Sequence, residues 1–238
     1  RIEALVKTHK SLLANASHEL RSPLTRIRMG LELMGGNQPS PAFREEILRN
    51  IAELDQLVDE ILLASRLDAR EADVGTVELV DLIGLAAEEC ARVDADLDVT
   101  AVPEGLEVRG VAKLLRRALR NLLENARRYS QGDITVVLQR HDGQAQLSVL
   151  DRGPGVPPAL RERIFEPFYR LPGASERAGG VGLGLALVRS IAQRHNGSVR
   201  CEDQPDGSGG ACFVLRLPLH SPPGTAAPAP QRKGTGAK

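Results

Sequence analysis

Two runs of apolar residues at three-four spacing constrain this chain more than any other feature of its sequence. Each run lays one apolar stripe along a helix. A breaker at residues 35–41 separates the runs, and a polar stretch at residues 68–73 follows the second. The sequence therefore predicts a helical hairpin. The stripe residues are Val6, Leu13, Ser17, Leu20, Leu24, Ile27, Leu31 and Met34, then Ile47, Ile51, Leu54, Val58, Ile61 and Ser65.

A single hairpin cannot cover both stripes together with the leucines that flank them. Pairing with a second copy, into an antiparallel four-helix bundle, is the economical way to bury this apolar surface. We therefore expect a homodimer. The flanking residues are Leu12, Leu48, Leu57, Leu62 and Leu67.

Past Gly75 the pattern changes to short strands and shorter helices. Period-two alternation predicts strands at 134–138, 146–150 and 212–217, and three-four spacing predicts helices over Lys113–Tyr129 and Leu185–His195. This is the pattern of an α+β sandwich domain. We place the hairpin at 1–70, a linker at 71–76, the α+β domain at 77–218 and a disordered tail, rich in Pro, Ala and Gly, at 219–238.

Composition excludes several classes of protein. The 31 basic and 31 acidic residues balance, so no global basic field recruits nucleic acid. No run approaches the ~18 to 20 consecutive apolar residues that a membrane span needs. Cys90, Cys201 and Cys212 lack metal-ligand spacing and fit buried small hydrophobes in a reducing compartment. A bridge between Cys201 and Cys212 is disfavoured.

A histidine in the first helix is the first candidate for chemistry. His18 lies one step from the core register, at the edge of the stripe, where a bundle leaves it open to solvent. Pro23 interrupts the helical hydrogen bonds beside it, a local violation that is typical of functional sites. A polar surface pair of His18 with Glu19 is the alternative. Zinc binding by a His-Glu-x-x-His motif is excluded because residue 22 is serine.

Two asparagines on a predicted helix form the second candidate site. Asn121 and Asn125 share one face, where an amide oxygen can complete the oxygen shell of Mg²⁺ and Arg128 can meet phosphate charge. Asparagines at this spacing are also common on exposed helices.

Two glycine-rich segments complete the set. Asp151 ends a predicted strand and precedes Gly153 and Gly155, so the backbone can approach a planar ligand while the carboxylate accepts from its amine. An ordinary Asp-Gly turn is the alternative. The glycines of residues 179–184 open a helix and thereby form a phosphate cradle. No predicted strand precedes them, which argues against a dinucleotide-binding loop.

In this order and spacing, five segments resemble the conserved boxes of bacterial sensor histidine kinases. The resemblance covers about Leu5 to Pro218, and the joint match is far more specific than any single box. The segments are Ser17–Thr25, Asn121–Asn125, Asp151–Gly155, Phe165–Arg170 and Gly179–Leu185, which correspond to the H, N, first glycine, F and second glycine boxes.

This resemblance implies a protein-histidine kinase that uses ATP and Mg²⁺. It implies that His18 attacks the γ-phosphate, that Glu19 is its general base, that Asn125 ligates Mg²⁺ and that the segment from Phe168 to Gly184 is a lid. The phosphoryl group then passes to an aspartate of a response-regulator receiver domain. The implied nucleotide-binding residues are Asn121, Asn125, Arg128, Tyr129, Asp151, Gly153, Gly155, Phe168, Arg177, Gly180, Gly182, Leu183 and Gly184.

Three positions depart from the family pattern. Ser22 replaces the usual Thr or Asn at the position linked to dephosphorylation of the partner. Val181 replaces a common hydroxyl residue in the lid, which leaves phosphate binding there to backbone amides. Val111 and Ala112 replace an acidic residue and Pro before the asparagine helix, which predicts Gly110 as a poor cap.

Two rival functions stay open at this stage. The chain could be an ATPase of the same nucleotide-binding superfamily, which activates water with an acidic residue on the asparagine helix, or an inactive dimeric scaffold. Residues 1–5 resemble the end of a signalling helix. We therefore expect a cytoplasmic fragment of an inner-membrane sensor, attached to the membrane only through an N-terminal region outside this sequence.

Overall fold

The computed structural model describes residues 16, 19–21, 23–32, 41–69, 74–102, 104–130, 132–172, 181–207 and 209–220. Residues 19–21 and 23–32 are helical, and helix α1 follows at Pro41–Asp68. Pro41 is the first residue of α1. At this position a backbone N–H would have no partner within the helix, so proline loses nothing, and its fixed φ suits a helix. Residues 19–21 and 23–32, together with α1, belong to the predicted hairpin.

Polar and apolar contacts hold the two hairpin helices together. The Arg26 guanidinium donates from Nε to the Asn50 side-chain oxygen at 2.7 Å and from Nη2 to Glu53 at 2.8 Å. Asn50 is buried and also donates to the Glu46 carbonyl at 2.8 Å, so its amide is satisfied. The Phe43 ring fills the space beside Gly30, where a Cβ would lie 2.5 Å from Cζ. This close approach fixes the separation of the two helices at Gly30 and Phe43.

Within the described residues, the α+β domain contains three helices and seven strands. In chain order they are β1 (Glu78–Asp81), α2 (Leu82–Ala91), β2 (Asp96–Asp98), β3 (Glu107–Gly110), α3 (Ala112–Tyr129), β4 (Thr135–His141), β5 (Gln144–Leu150), α4 (Gly184–Arg194), β6 (Ser198–Glu202) and β7 (Cys212–Pro218). Short 3₁₀ turns lie at Pro158–Leu160 and Arg163–Phe165.

The strands form one large and one small sheet. The five-stranded sheet has the order β2-β4-β5-β7-β6, with β2 parallel to β4 and the other pairs antiparallel. Strands β1 and β3 form a two-stranded antiparallel sheet. Helices α2, α3 and α4 contact the large sheet. The α+β sandwich that the sequence predicts is therefore confirmed.

The core lies between the large sheet and the helices. Alternate residues of the sheet, such as Val136, Val149 and Leu215, are at most 2% exposed and meet the apolar faces of α3 and α4. Central strand β5 is buried on both faces. On the side away from the helices, Gln146 accepts a hydrogen bond from the Arg216 guanidinium at 3.0 Å. This hydrogen bond lets a polar residue be buried there.

One face of α1 packs against the α+β domain. Leu57 and Leu67 are 3% and 6% exposed, and Ala64 and Leu67 join the core of the α+β domain. The expectation that dimerisation buries Leu57 and Leu67 is wrong, because the same chain already covers them. A helical stripe shows that a face needs cover and does not show which partner supplies it.

The hairpin also keeps large apolar side chains exposed in the single chain. Its exposed side chains are Leu24, Met29, Leu31, Leu48, Ile51, Val58 and Leu62, at 42 to 57%. Leu12 lies outside the described residues. Among the helices that the structure describes, none combines the length and apolar character required to traverse a membrane.

The three cysteines are buried and free, as predicted. Cys201 pairs with Phe213 across β6 and β7, while Cys212 pairs with Glu202, so the two cysteine side chains point to opposite faces of the sheet. Burial raises the pKa of Cys201 to about 12 and the pKa of Cys90 and Cys212 to about 11. All three thiols are protonated at neutral pH and pack as small hydrophobes.

Two local predictions are corrected. The cap of α3 is Val111 and not Gly110, and it makes no side-chain capping bond. The domain also continues past Pro218, because Leu219 bridges to Val108 and the His220 N–H donates to the Glu107 carbonyl at 3.0 Å. A two-residue pairing is too short to leave a periodic signal in the sequence.

Candidate functional site

A cavity of about 290 Å³ lies between α1 and the α+β domain. Its walls come from α3, from the segment after β5, from the 3₁₀ region and from the start of α4. The lining residues are Glu53, Gln56, Leu57, Glu60, Asn121, Glu124, Asn125, Arg128, Tyr129, Asp151, Pro154, Gly155, Val156, Ile164, Tyr169, Arg170, Leu171, Val181, Gly182, Gly184, Leu185, Ala211 and Phe213.

Helix α3 brings both predicted asparagines to this cavity. The helix is amphipathic, and its apolar face packs against the sheet and α4, which leaves Asn121 and Asn125 at the cavity edge. Asn121 is 5% exposed and donates from Nδ2 to the Gly184 carbonyl at 3.1 Å. Asn125 is only half-buried. Asn121 therefore ties α3 to the start of α4, and Asn125 is the amide that is better placed to meet a ligand.

Asp151 is a buried carboxylate directly after β5. It is 3% exposed, and its Oδ1 accepts from the N–H groups of Gly153 at 2.8 Å and Ala211 at 3.2 Å. Its backbone carbonyl accepts from the Gln204 side-chain amide. Among the described residues, none donates to Oδ2. The backbone thus orients the carboxylate and leaves one oxygen for an amine.

The glycines beside Asp151 are required by space. A Cβ on Gly153 would lie 2.6 Å from the Tyr129 carbonyl oxygen and 2.9 Å from the Asp151 Oδ1. A Cβ on Gly210 would lie 2.0 Å from the Asp151 carbonyl oxygen. Any side chain at either position would displace the carboxylate or the strand end. Gly155 lines the cavity itself.

A backbone hydrogen bond joins the F-like motif to the second glycine-rich motif. The Phe168 N–H donates to the Gly182 carbonyl at 2.9 Å. Both residues have positive φ, 63° at Phe168 and 79° at Gly182, and a Cβ on Gly182 would meet the Phe168 backbone at 2.9 Å. Only glycine combines this conformation with this contact. Phe168 packs against the core and does not line the cavity.

The start of α4 presents backbone donors that have no acceptor among the described residues. Leu183 is the N-cap, is 1% exposed and makes no side-chain capping bond. The first helical hydrogen bond runs from the Leu187 N–H to the Leu183 carbonyl at 2.9 Å. The N–H groups of Gly184, Leu185 and Ala186 therefore precede the helical ladder, and the positive end of the helix dipole lies there.

Helix α1 supplies a wall that the sequence analysis did not anticipate. The Arg117 guanidinium of α3 donates to Glu60 at 3.0 Å, and Gln56 donates to the same carboxylate at 3.1 Å. Burial is the main cause of the raised pKa of Glu60, and Glu124 adds to it, while the hydrogen bond from Gln56 and the charge of Arg117 oppose it. A buried carboxylate facing an arginine of another element signals such a contact, but only the tertiary structure reveals it.

The predicted site residues fall into four groups. Eight of the sixteen line the cavity. Gly153, Phe168 and Leu183 lie next to it without lining it, and Glu19 is half-buried in the first helix. The residues outside the described part of the chain are His18, Ser22, Arg177 and Gly180.

Among the described residues that line the cavity, the Asn125 amide is a candidate ligand for a metal ion. Within the described ranges, no group of three or more His, Cys, Asp or Glu side chains could hold a metal ion. Mg²⁺ commonly keeps several waters and takes few protein ligands alongside substrate phosphates. The Asn125 amide at the cavity wall fits such a role. The cavity can thus accept a ligand with an amine at one end and phosphates at the other.

Two protein-family patterns match the chain. Residues 8–70 match the "His Kinase A (phospho-acceptor) domain", which includes His18. Residues 110–221 match the "Histidine kinase-, DNA gyrase B-, and HSP90-like ATPase" family, which includes α3, Asp151 and α4. The two patterns follow each other along the chain without overlap.

Curated and solved relatives agree with these matches. The chain is 36% identical to sensor histidine kinase CpxA of Escherichia coli K12 over 225 residues, covering 92% of the chain and 49% of CpxA. It is 35% identical to the histidine-protein kinase/phosphatase MprB of Mycobacterium sp. strain KMS, covering 87% of the chain and 43% of MprB. The chain thus spans about half the length of these curated relatives.

Solved structures give the same fold. A structure of mycobacterial sensor histidine kinase MprB is 32% identical, with a TM-score of 0.53 over 60% of this chain and 98% of that one. Histidine kinase AdeS of Acinetobacter baumannii has a TM-score of 0.70 at 22% identity, over 86% of this chain and 98% of that one. At that identity AdeS supports the fold alone.

Proposed function

The chain belongs to the sensor histidine kinases, and on that premise we propose that it transfers the γ-phosphoryl group of ATP to His18. The observation that carries the proposal is the cavity that unites Asn125, Asp151 and the start of α4. These residues come from three separate motifs, and each supplies a different part of a nucleotide site. We assign ATP binding to residues 77–220 and phosphoryl acceptance to the hairpin at 1–70, joined by a linker at 71–76.

Asp151 binds the adenine end of ATP in this proposal. Its Oδ1 is held by two backbone N–H groups, so Oδ2 accepts from the exocyclic amine without a change of rotamer. The carboxylate is already buried before the nucleotide binds. A base without an exocyclic amine cannot make the charge-assisted hydrogen bond to Oδ2. A base that lacks the amine is therefore rejected.

The phosphates lie toward Arg128 and the start of α4. The Arg128 guanidinium contributes positive charge, and the uncapped N–H groups of α4 donate to phosphate oxygens. Asn125 would hold Mg²⁺, which neutralises phosphate charge when bound. Val181 has no hydroxyl, so backbone donors carry the hydrogen bonding at this end.

The hairpin supplies the acceptor. Nε2 of His18 forms a bond to the γ-phosphorus as the bond from that phosphorus to the β–γ bridging oxygen breaks, and ADP leaves. Glu19 takes the proton from the other ring nitrogen. The phosphoryl group then passes from His18 to an aspartate carboxylate of a response regulator, and His18 is regenerated. Positioning and charge stabilisation supply the catalysis.

The exposed apolar surface of the hairpin supports the proposal that the chain binds a second copy and a response regulator. Seven large apolar side chains of the hairpin are 42 to 57% exposed, and exposed apolar surface of this kind marks a protein–protein interaction site. A second copy covers this surface as a four-helix bundle, and a response-regulator receiver domain docks beside His18. We assign the chain to the cytoplasmic part of a longer membrane sensor, because ATP and the regulator are found in that compartment.

A rival function has one observation in its favour. Glu124 lies on α3 and lines the cavity, so a carboxylate is present that could activate water for ATP hydrolysis. Hydrolysis releases free phosphate, whereas the proposed reaction leaves label on the protein. Treatment of the labelled product with acid and with alkali separates the two functions, because a phosphohistidine is hydrolysed in acid and is stable in alkali.

Incubation with γ-labelled ATP and Mg²⁺ tests the proposal. We expect acid-labile label on the wild-type chain and none on His18→Gln, with unchanged Mg-ATP affinity in calorimetry and unchanged dimerisation. Label that persists in His18→Gln contradicts the assignment of His18. Free phosphate without protein-bound label in the wild type supports the ATPase, and failure to bind Mg-ATP supports the scaffold.

A further inference from the structure

His195 joins two helices of the α+β domain. It follows the last residue of α4 and is half-buried. Its Nδ1 lies 2.7 Å from the Ile191 carbonyl oxygen, and its Nε2 accepts from the Val111 N–H at 3.0 Å. Since a carbonyl oxygen can only accept, Nδ1 carries the proton and Nε2 offers its lone pair. The imidazole is neutral in this arrangement and uses both ring nitrogens.

The Val111 N–H has a specific need for this acceptor. Val111 is the N-cap of α3, is 4% exposed and has no side-chain oxygen that could cap the helix. Its carbonyl already serves the N–H groups of Leu114 and Leu115. Leaving a buried N–H without a partner costs about 1 to 3 kcal/mol. The histidine thus compensates for a helix start that the sequence marks as poor.

Gly110 makes room for the imidazole. A Cβ on this glycine would lie 2.6 Å from Cδ2 and 2.8 Å from Nε2 of His195. The next neighbour, Cδ1 of Leu115, would lie at 3.0 Å and belongs to a flexible side-chain end. The glycine is therefore needed for space beside the ring, and an alanine would push the ring off the Val111 N–H.

Among the described residues, the hydrogen bond from Val111 to His195 is one of two that tie α3 and its N-cap to α4 and its C-cap. The other runs from the Asn121 amide to the Gly184 carbonyl at 3.1 Å. Asn121 lies in the middle of α3 and Gly184 is the first residue of α4, whereas Val111 precedes α3 and His195 follows α4. The two helices are antiparallel, and the bonds hold α4 at both of its ends.

We propose that His195 is a positioning residue for the phosphate end of the nucleotide, an inference that rests on the proposed function. It fixes α4 along α3, and so sets where the uncapped N–H groups of α4 lie relative to Asn125. His195 itself does not line the cavity. Asp151 lies after β5 and does not depend on α4 for its orientation. Loss of His195 therefore weakens binding of the phosphates and spares the adenine contact.

The protonation state supports this geometry. Burial is the largest cause of the lowered pKa of His195, the charge of Arg194 also lowers it, and the hydrogen bond to Ile191 opposes them. Arg194 is the charged group that acts on the ring among the described residues. The neutral form that accepts from Val111 is thus the form present at neutral pH.

Calorimetry with two ligands on the full chain tests the proposal. We expect His195→Ala to weaken Mg-ATP binding roughly tenfold, as about 1.4 kcal/mol of lost positioning predicts, and to leave adenosine binding within twofold. Gly110→Ala should reproduce this selective loss, because it displaces the same ring. His141→Ala removes an exposed imidazole at the β4–β5 turn and should change neither affinity. Equal loss of both ligands in His195→Ala overturns the proposal, because general loosening of the fold would cause it.

The double variant and the wild type provide two further tests. In Gly110→Ala with His195→Ala, the ring that the new methyl group meets is gone, so the loss should not exceed that of His195→Ala alone. Losses that multiply overturn the shared mechanism. Nitrogen NMR of the wild-type chain near pH 7.5 should show the proton of His195 on Nδ1. A proton on Nε2 overturns the proposal without any variant. Failure of the wild type to bind Mg-ATP contradicts the proposed function instead, and the NMR result still decides whether His195 caps α3.

Discussion

The hairpin and the α+β domain treat apolar surface in opposite ways. In the domain, leucines of the helix–sheet core such as Leu119, Leu122 and Leu138 are completely buried. In the hairpin, Leu48 and Leu62 of helix α1 are 57% and 50% exposed. The core of the domain is closed within one chain, with Ala64 and Leu67 of α1 packed into it, whereas the hairpin leaves several large apolar side chains exposed in the single chain.

This difference teaches where each region's stability comes from. A core within one chain gives a free energy of unfolding that does not depend on protein concentration. A face completed by a second copy gives stability that rises with concentration. The contact between Glu60 and Arg117 belongs to neither class, because it links the two regions within one chain.

A matched pair of leucine truncations tests whether the domain and the hairpin are stabilised in different ways. Leu122→Ala should lower the unfolding free energy of the domain by about 2 to 5 kcal/mol at every protein concentration. Leu62→Ala removes the same atoms from an exposed position and should leave that unfolding unchanged while raising the dimer dissociation constant. Denaturant unfolding and sedimentation equilibrium measure the two effects. An equal, concentration-independent loss in both variants would refute the distinction.

The ionic link between the regions should respond to removal of its cation. Arg117→Met leaves the buried Glu60 carboxylate without its guanidinium and should cost about 1 to 3 kcal/mol of unfolding free energy. Glu60→Gln keeps an acceptor for Arg117 and carries no charge to desolvate, so it should cost much less. Urea unfolding of the full chain measures both. Equal costs would show that the ion pair is solvated and that the regions are joined by other contacts.

Two substitutions in the cavity should separate its adenine and phosphate ends. Asp151→Asn replaces a carboxylate with an amide that cannot accept at both positions, and should weaken Mg-ATP binding by about 1 to 3 kcal/mol. Asn125→Asp alters charge beside the phosphates and should weaken Mg-ATP binding but not adenosine binding. Calorimetry with both ligands distinguishes them. Wild-type affinity and turnover in both variants would remove the site from this cavity.

Acid should weaken the domain through His195. Its folded-state pKa lies below the usual value of 6.5, so the native state binds fewer protons than the unfolded chain near that pH. The contribution is complete above pH 6.5 and is lost as the pH falls through the lowered folded-state pKa. Unfolding free energies at pH 7.5 and 5.5 should fall less in His195→Gln than in the wild type. His141→Gln, at an exposed imidazole, should behave like the wild type.

The smallest expected effect lies in the hairpin, at Ser22. This residue lies one helical turn beyond His18 in the sequence pattern and keeps the hydroxyl that threonine supplies in the family, without the methyl group that restricts χ1. Ser22→Ala should preserve label on His18 and slow loss of label from the phosphorylated regulator, while Ser22→Thr should speed it. Equal dephosphorylation rates in all three proteins would leave Ser22 without a part in that reaction.

Much of the fold could be predicted because its signals are local. Helix α3 appears in the sequence as Lys113–Tyr129 and in the structure as Ala112–Tyr129, since strong amphipathic periodicity marks a helix wherever it packs. The ends of the predicted strands differ from the observed ends by up to three residues, because ladder partners decide where a strand stops. Asp151 and the two asparagines could be named in advance because their motifs constrain backbone and side chain together.

The sequence by itself determined the two-part organisation, the family and the order of the motifs around the cavity. Only the tertiary structure decided that Leu57 and Leu67 face the α+β domain, that Glu60 meets Arg117 and that His195 caps α3. Periodicity reports that a face is apolar, and residue type reports that a group can donate or accept. Neither specifies a partner that lies 57 or 84 residues away in the chain, because that choice depends on how the whole chain packs.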